Sequence, residues 1–506
     1  EIQGNNIGGI FDRLSDWMKA KWNVQELTLD IDRAVNESPD CGLECCGYSA
    51  PLQVAAMQEW NRLCDRSYTS GAPLDPSLRG AANPSIFKAR GHEGENNMGK
   101  LTMQVVNFMT NECGWTFQVC DSGNFGYSGD IREQQIKFKA PHPLNLIAPH
   151  IMIELRQCGY IEVNGADTEG IWGKLAQFVG QAWAAKQVQA DPEYCDLKFS
   201  TGAFKSRGGE GENNMGMRTM ELVDFMVKTC KWTMVTCNAG NYGRTGALRE
   251  QQLVFRNDDF VQHGSDHIMV ELRTSGYVEV NGLHDASDLQ PALDQFVKGT
   301  WGGTDYKPYM WESSEKFCDH KYTTKSLFLE QQLANNLGRL TLQLAEFVGQ
   351  HGWALLLCNG GSITPSPKES PNAIIREQQV KFTRARKPEI AKAPLLMIEL
   401  RTQPCSDNPP QYQGVIEICG QNTNGVYQTL GEFLQNYMGA TPAISGLCDY
   451  AYLCPKFRLK ECCTDPRGRW DGYLNGESNI GKWTMRICDF LVDHVGEWDL
   501  VVCNSD

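Results

Sequence analysis

The sequence predicts an α+β fold, organised as a tandem array of β-α-β-β-β-α domains in which helices cover one face of a mostly antiparallel sheet. Two observations predict this fold. A five-residue segment, Ile/Leu-Arg-Glu-Gln-Gln, occurs three times, each time between a strand that runs from Trp to Cys and a strand that contains Glu-Leu-Arg. Four helix-like segments begin with Asn-X-Gly, at Gly99, Gly216, Gly338 and Gly481. These spacings are domain-sized, so they indicate a domain array rather than a short-repeat solenoid.

Each domain is predicted to begin with a strand at a Cys-Asp pair, as in Cys195-Asp196. A helix follows, and its predicted N-caps are Asn97, Asn214, Asn336 and Asn479. Apolar residues then recur at helical spacing, for example Leu340, Leu344, Phe347 and Val348. The next strand ends in Cys, and a loop rich in Gly and Asn leads from it into the Arg-Glu-Gln-Gln strand. The four strands of this type are Trp115–Cys120, Trp232–Cys237, Trp353–Cys358 and Trp498–Cys503.

A hairpin and a second helix complete each predicted domain. His150–Arg156 pairs with Tyr160–Val163, and His267–Arg273 pairs with Tyr277–Val280, because glycine in each short linker permits a tight turn. The third copy has prolines here and is predicted to have a long loop instead. The second helix carries an apolar stripe in each copy: Leu175, Phe178, Val179 and Trp183; Leu293, Phe296, Val297 and Trp301; Leu430, Phe433, Leu434 and Met438.

These elements divide the chain into six segments. Residues 1–25 match the C-terminal half of a unit, since Glu1-Ile2-Gln3-Gly4 resembles Glu162-Val163-Asn164-Gly165. Residues 26–58 are a linker with a cysteine cluster, residues 59–188, 189–312 and 313–440 are three complete units, and residues 441–506 are the N-terminal half of a unit. Half a sheet leaves strand edges unpaired. Three explanations stay open: trimming from a longer repeat protein, ends that complete each other within one chain, or an end that completes the end of another molecule.

Composition excludes several classes of partner. The 506-residue chain has a formal net charge of −14 and a sequence pI of about 5.2, which argues against nucleic acid and anionic membranes. No apolar run is long enough to predict a transmembrane helix. Because the chain begins with Glu1 and has no basic-then-apolar leader, we expect a processed or trimmed start.

Recurrence also tests for an active site. His150 and His267 correspond, but the third copy has Leu395 at that position. The loop at residues 123–129 has spaced glycines without the Lys-Ser/Thr of a phosphate-binding loop, and no Ser or Cys has a nucleophile-elbow context. We therefore predict no catalytic residue, no cofactor and no metal site. The cysteines outside the repeat have neither a nearby His nor zinc-like spacing: Cys41, Cys45, Cys46, Cys462 and Cys463.

Four pairs of cysteines recur, one cysteine in the opening strand and one at the end of the Trp…Cys strand. Small buried residues and one disulfide per unit both account for this pattern, and the disulfides would imply an oxidising environment. The pairs are Cys64/Cys120, Cys195/Cys237, Cys318/Cys358 and Cys448/Cys503.

Recurring charged residues indicate a structural contact. Strand alternation puts Glu154, Arg156 and Glu162 on the sheet face opposite the apolar one. A solvated face with cross-strand ion pairs is one interpretation, but it does not require the same four residues in three copies. We therefore predict that this face, or the Arg-Glu-Gln-Gln segment, docks another unit, with its arginines paired to hairpin carboxylates. The predicted contact residues are Arg132, Glu133, Gln134, Gln135, Arg249, Glu250, Gln251, Gln252, Arg376, Glu377, Gln378, Gln379, Glu154, Glu271 and Glu399.

Equivalent domains without a recurring catalytic group favour a non-enzymatic structural protein that self-assembles into a lattice, shell or filament. Its predicted partners are copies of itself and other scaffold proteins. The alternative is a multivalent glycan- or protein-binding array of the lectin-like or adhesive kind, in which loop-tip residues such as Asn124, Phe125, Asn241 and Tyr242 hold the ligand.

An acidic, processed chain of pseudo-repeated α+β units resembles the shell proteins that tile the surface of algal pyrenoids. The resemblance covers the architecture only and no diagnostic motif. It implies a chloroplast location after removal of a transit peptide and lateral self-assembly around Rubisco. A secreted location is the alternative.

Overall fold

The computed structural model describes residues 2, 6–26, 68–69, 86–87, 89–90, 95–125, 131–139, 148–207, 212–242, 248–257, 266–284, 286–307, 317–327, 336–363, 375–385, 387–407, 410–445, 447–456, 480–495, 498 and 501. The described helices and strands form four modules. Modules II, III and IV each contain one sheet of four or six strands, and module I contains separate pairs of strands. Module I is residues 10–139, module II is 150–256, module III is 267–384 and module IV is 396–495.

Module I has two helices and three pairs of strands. The helices are α1 (Ile10–Trp22) and α2 (Met98–Asn107), and α2 continues into a π-helical turn at Phe108–Glu112. The strands are β1 (Gln25–Glu26), β2 (Tyr68–Thr69), β3 (Ala89–Arg90), β4 (Glu95–Asn96), β5 (Thr116–Phe125) and β6 (Ile131–Lys139). β1 pairs with β2, β3 with β4, and β5 with β6.

Module II contains a six-stranded sheet with the order β13-β14-β7-β8-β10-β9, and all of its neighbouring strands are antiparallel. These strands are β7 (His150–Arg156), β8 (Tyr160–Gly165), β9 (Lys186–Val188), β10 (Leu197–Ser200), β13 (Thr233–Tyr242) and β14 (Leu248–Arg256). A separate small pair is β11 (Ser206–Arg207) and β12 (Glu212–Asn213). The helices are α3 (Ile171–Trp183) and α4 (Met215–Asp224), with a π-helical turn at Phe225–Thr229.

Module III repeats this arrangement. From the edge that corresponds to β13, its order is β19-β20-β15-β16-β18-β17. The strands are β15 (His267–Arg273), β16 (Tyr277–Asn281), β17 (Thr304–Asp305), β18 (His320–Thr323), β19 (Trp353–Ile363) and β20 (Ile375–Arg384). The helices are α5 (Gln290–Thr300) and α6 (Leu337–Gln350), and a short helix α7 (Pro388–Ala391) leads to module IV.

Module IV has four described strands in the order β21-β22-β24-β23. They are β21 (Leu396–Asp407), β22 (Pro410–Gly420), β23 (Thr441–Ala443) and β24 (Tyr450–Cys454). The helices are α8 (Val426–Met438) and α9 (Ile480–Asp489), and α9 continues into a π-helical turn at Phe490–Val495.

Each complete sheet takes its strands from two successive units of the sequence repeat. In module II, β7 and β8 belong to the first unit, whereas β10, β13 and β14 belong to the second. Each complete sheet therefore combines the hairpin of one sequence unit with the opening, Trp…Cys and Arg-Glu-Gln-Gln strands of the next unit. Residues of the N-terminal half unit also contact the unit that follows them, since Trp17 stacks on Phe108 with ring centroids 4.9 Å apart and Arg13 donates to the Glu112 carbonyl at 2.7 Å.

The core of each complete module lies between the sheet and its two helices. Ile151, Ile153 and Leu155 alternate along β7 and are fully buried beneath α3 and α4. The same type of aromatic pair joins the two helices in each module, since Phe178 stacks on Phe225, Phe296 on Phe347, and Phe433 on Phe490, with centroids 4.2 to 4.3 Å apart. Stacked aromatic rings add specific geometry to the apolar area that they bury.

The structure confirms the α+β tandem architecture. Four strands, not the three of the predicted β-α-β-β-β-α order, lie between the two helices of each complete unit, because the hairpin contributes two strands. The hairpin turns are also as predicted, since Gly159 and Gly276 have φ of +99° and +91°, a region that favours glycine. Within the described ranges, no helix has both the length and the apolar character needed to cross a membrane.

Two local predictions are wrong. The side chains of Asn97, Asn214 and Asn336 do not bond the first helical turn, and Asn479 lies outside the described residues. Instead their amides donate to carbonyls of the preceding segment, as Asn97 Nδ2 does to Ile86 O at 2.8 Å, and in module II the residue before the cap, Asn213, accepts from Met215 N at 3.0 Å. The third hairpin is not a long loop, because β21 and β22 pair from Leu396 to Asp407, with a bulge after Pro404 that accommodates the proline.

Candidate functional site: the joint between successive modules

The second helix of modules I, II and III lies between two sheets. It packs on the apolar face of its own module, and its other side covers the next sheet: α2 contacts β7 and β8, α4 contacts β15 and β16, and α6 contacts β21 and β22. We call this contact the joint. The covered surface is the polar face, which in module II carries Glu154, Arg156, Glu162 and Lys198, and in module III carries Glu271, Arg273, Glu279 and Lys321.

Each joint brings a helix start against a carboxylate of the polar face. A methyl group added to Gly99 would lie 2.5 Å from Glu154 Oε2, and one added to Gly216 would lie 2.9 Å from Glu271 Oε2. In the third joint, one added to Gly338 would lie 3.0 Å from Glu399 Oε2. Glycine therefore permits the close approach, and the partial positive charge of the helix N-terminus favours the carboxylate.

Apolar contacts surround this carboxylate. Met103 and Val106 of α2, with Phe117 and Cys120 of β5, pack against Met152 and Val254 of the polar face. All six residues are at most 4% exposed. The joint thus contains a small hydrophobic core of its own, which distinguishes it from a solvated contact between charged surfaces.

The second glutamine of the Arg-Glu-Gln-Gln segment holds the same carboxylate within the sheet. Gln252 Nε2 donates to Glu154 Oε1 at 2.6 Å, and Gln379 Nε2 donates to Glu271 Oε1 at 2.5 Å. Gln134 of module I donates to Gln252 Oε1 at 2.8 Å, so one amide chain crosses from module I to the carboxylate of module II. Buried amide and carboxylate groups need such partners to be stable.

The first glutamine of each copy contacts the cysteine that ends the neighbouring strand. Gln134 Nε2 lies 2.9 Å from Cys120 Sγ, and Gln378 Nε2 lies 2.7 Å from Cys358 Sγ. In the second copy the thiol of Cys237 donates to Gln251 Oε1 at 3.7 Å. The recurring cysteine is therefore a buried hydrogen-bonding partner of the recurring glutamine.

The glutamate of the segment begins a ladder of charges that crosses four adjacent strands. In module II, Arg156 pairs with Glu250 at 3.2 Å and with Glu162 at 2.9 Å, and Lys198 pairs with Glu162 at 2.9 Å. In module III, Arg273 pairs with Glu377 at 2.7 Å and with Glu279 at 3.0 Å, and Lys321 pairs with Glu279 at 3.1 Å. The aromatic rings of Tyr160 and Tyr277 lie 4.4 Å and 4.1 Å from the two lysines.

Burial changes the acid–base behaviour of these groups. Burial raises the pKa of the Glu279 carboxyl, and the charge of Arg273 opposes this rise. Burial by itself lowers the pKa of Arg156, but the carboxylates of Glu250 and Glu162 raise it above its ordinary value. Burial and, after it, the charge of Arg256 lower the pKa of His150 to about 4. His150 is therefore neutral near pH 7, and its ring meets Phe117 of module I edge to face with centroids 5.7 Å apart.

The aspartate of the Cys-Asp pair fixes the end of the hairpin. Asp196 accepts from Gly165 N at 3.0 Å, Asp319 from Gly282 N at 2.8 Å, and Asp449 from Gly420 N at 2.9 Å. Two of these aspartates also pair across a joint, Asp196 with Lys100 at 2.6 Å and Asp449 with Arg339 at 3.5 Å. The recurring aspartate thus serves both the sheet and the joint.

Only some of the residues that the sequence predicted to form the contact meet in the sheets and joints that the structure describes. Gln134, Glu250, Gln251, Gln252, Glu377, Gln378 and Gln379 have the contacts given above, and Gln135 is half-buried in β6. The side chains of Glu133 and of the arginines at positions 132, 249 and 376 lie outside the described residues, so the predicted pairing of these arginines stays a prediction. Glu154 accepts from Gln252 and from Asn164, and Glu271 accepts from Gln379 and lies 3.6 Å from Arg273.

The disulfide alternative is wrong for the two pairs that are fully described. Cys195, Cys237, Cys318 and Cys358 are thiols and form no disulfide. Three strands separate the members of each pair in the sheet order, a distance of about 19 Å at ~4.8 Å per strand, whereas a disulfide requires Cα atoms within about 7 Å. Cys120 and Cys448 are also thiols without a disulfide, and their predicted partners Cys64 and Cys503 lie outside the described residues.

Sequence reasoning missed the lysines of the ladder and the role of the helix glycine. Lys198 and Lys321 both follow Cys-Asp by two residues, which is the signal that could have found them. One acidic cluster outside the joint, Asp294, Asp305 and His320, has ligand atoms within 4.8 Å of one another. Lys298 lies 2.8 Å from both of its carboxylates, so a lysine ammonium already supplies the positive charge there.

No protein-family model matches this chain, and no curated protein or solved structure is significantly similar to it.

Proposed function

We propose that this protein is a non-enzymatic structural protein whose modules stack head to tail and that it self-assembles into a lattice, shell or filament. The observation that carries the proposal is the joint. The buried glutamates and glutamines of the second and third Arg-Glu-Gln-Gln copies contribute contacts within or beside it, and the contact between helix glycine and hairpin glutamate is present at three successive joints.

The geometry of the joint supports a propagating contact. Each joint places the helix of one module on the sheet of the next, so its two surfaces differ, and a contact between unlike surfaces continues until it closes or meets an end. Buried ion pairs and amides also make the contact selective, because a wrong partner would leave charges without compensation. A selective contact between unlike surfaces is suited to ordered assembly.

Negative-stain microscopy and light scattering of the purified chain at low salt test the proposal. We expect filaments, tubes or sheets whose formation depends on protein concentration. A chain that stays strictly monomeric at all concentrations and binds a glycan array would contradict it and would favour the multivalent binding protein. The loop-tip side chains on which that alternative depends, at positions 124, 125, 241 and 242, lie outside the described residues.

A matched pair of variants connects assembly to the joint. Gly216→Val places a branched side chain where the Glu271 carboxylate lies, whereas Gly173→Val changes a helical glycine that has open space around it. If assembly requires ordered stacking, Gly216→Val reduces the assembled fraction and Gly173→Val does not. Equal behaviour of the two variants, with both folded by circular dichroism, would contradict the role of the joint.

A further inference from the structure

Two strands of this chain have open edges that match each other. Among the described strands, β6 pairs only with β5, and β21 pairs only with β22. In modules II and III the equivalent strands pair with each other: β14 with β7, and β20 with β15. Among the described strands, β6 and β21 therefore each lack the neighbour with which their equivalents pair.

The two complete modules define how such a pair is aligned. In β14 and β7, Gln252 is opposite Glu154 and Glu250 is opposite Arg156. In β20 and β15, Gln379 is opposite Glu271 and Glu377 is opposite Arg273. The same register would place Gln135 of β6 opposite Glu399 of β21, and Glu133 opposite Arg401. The pairing thus aligns an amide with a carboxylate and an acid with a base.

The apolar residues of β6 and β21 are less buried than their equivalents in modules II and III, as expected if each strand lacks a neighbouring strand at its edge. Leu253 and Phe255 of β14 are fully buried, whereas their counterparts in β6, Ile136 and Phe138, are only partly buried. Likewise Ile153 and Leu155 of β7 are fully buried, while Ile398 and Leu400 of β21 are partly buried. An additional strand beside each edge would cover these residues as it does in modules II and III.

We infer that β21 of one copy pairs edge to edge with β6 of a second copy. The joined sheet has the order β5-β6-β21-β22-β24-β23. Each of these strands is the repeat equivalent of the strand at the same place in the module II order, β13-β14-β7-β8-β10-β9. Main-chain hydrogen bonds supply the attraction and the charged residues supply the register, as in other strand-addition contacts. This inference rests on the proposed self-assembly and names the surfaces that carry it.

Zero-length cross-linking tests the register. Chains grown on ¹⁴N are mixed with chains grown on ¹⁵N under assembling conditions, treated with a water-soluble carbodiimide and digested for mass spectrometry. In the inferred register Lys137 lies diagonal to Glu399, within reach of a long side chain. We expect a Lys137–Glu399 cross-link that joins light and heavy peptides. Lys137→Arg keeps the charge but removes the reactive amine, so it should assemble normally and lose this cross-link.

A charge reversal tests whether the edge drives assembly. Lys137→Glu places an acidic group beside Glu399, which is already opposite Glu417 in β22. It should raise the concentration for half-assembly by roughly tenfold or more, because like charges in a contact are strongly unfavourable. Lys174→Glu, on the exposed side of α3, makes the same change in net charge and should leave assembly unchanged.

The outcomes separate the inference from the proposed function. Absence of any assembly would overturn the proposed function. Assembly without a mixed-isotope Lys137–Glu399 cross-link, or with a cross-link confined to peptides of one isotope, would overturn the edge pairing alone. Assembly by Lys137→Glu that equals assembly by Lys174→Glu would do the same.

Discussion

Modules III and IV present the same Glu-Leu-Arg hairpin to the helix of the preceding module, but their polar faces differ. In module III, Glu377, Arg273, Glu279 and Lys321 form a charge ladder across four strands. In module IV, Ala451 is opposite Glu417, where module III has Lys321 opposite Glu279. The helix contact is kept in both, since Gly216 lies against Glu271 and Gly338 against Glu399.

This difference separates two roles of the charged residues. The glutamate that meets the helix start is present wherever two modules join, so it belongs to the joint. The ladder extends along the sheet, and its lysine is dispensable for a joint. Because a one-residue slip would turn the ladder charges toward the apolar core, the ladder specifies strand register.

The largest expected effect comes from breaking the ladder at its centre. Arg273→Met leaves Glu279 and Glu377 buried without their shared cation, and we expect a loss of about 3–5 kcal/mol in the free energy of unfolding of module III. Urea denaturation followed by tryptophan fluorescence measures it. Arg384→Met in the same module removes part-exposed pairs with Asp266 and Asp288 and a contact with the Trp353 ring, and should cost about 1–2 kcal/mol. Equal losses in the free energy of unfolding would show that the buried ladder stabilises module III no more than the part-exposed pairs of Arg384 do.

A second effect depends on pH and separates the first joint from the third. The pKa of His150 in the folded protein is about 4, below its ordinary value of 6.5, so the unfolded chain binds a proton that the folded chain does not. Stability is therefore full above about pH 6.5 and falls as the pH decreases toward 4, by up to about 3 kcal/mol. His150→Leu, which copies Leu395 of the third joint, should remove this part of the pH dependence. Denaturation midpoints at several pH values check it, and an unchanged slope in the variant would contradict the assignment to His150.

A smaller effect is expected at the helix start. Gly216→Ala adds a methyl group 2.8 Å from Asn281 Nδ2 and 2.9 Å from Glu271 Oε2, both buried, and should cost about 1–3 kcal/mol. Gly173→Ala has no such neighbour, and alanine favours a helix over glycine, so this control should be neutral or stabilising by up to about 1 kcal/mol. Limited proteolysis of the segment between modules II and III should increase only in Gly216→Ala. Equal stability of the two variants would show that the joint tolerates a side chain there.

The repeated elements were predictable because local patterns determine them. The apolar spacing in α3 and α6, the alternation in β7 and the glycine turns are each contained in a short segment. The opposite faces of Ile153 and Glu154 also follow from alternation alone. The phase of the sheets was not predictable, because a repeating sequence does not tell whether a hairpin pairs with the strand before it or with the one in the next unit.

Burial of the polar face could not be predicted from the sequence either. Glu162 and Arg156 have the residue types and spacing of a solvated strand face, and the cover that α2 and β5 of module I provide excludes water from this face. Asn97 likewise has the type and position of an N-cap, yet its amide binds an earlier carbonyl because the preceding segment passes close to it. In both cases a contact that is distant in sequence overrides a local preference.

Because each of the helices α2, α4 and α6 is shared by two sheets, the modules are coupled like neighbours in a one-dimensional lattice. Loss of one module would strip the cover from the charges of the next, so failure would spread from module to module instead of stopping at a boundary. Under tension along the stack, the chain would resist as one stiff unit and then yield in steps larger than a single module. A chain of independent domains on flexible linkers would extend one domain at a time.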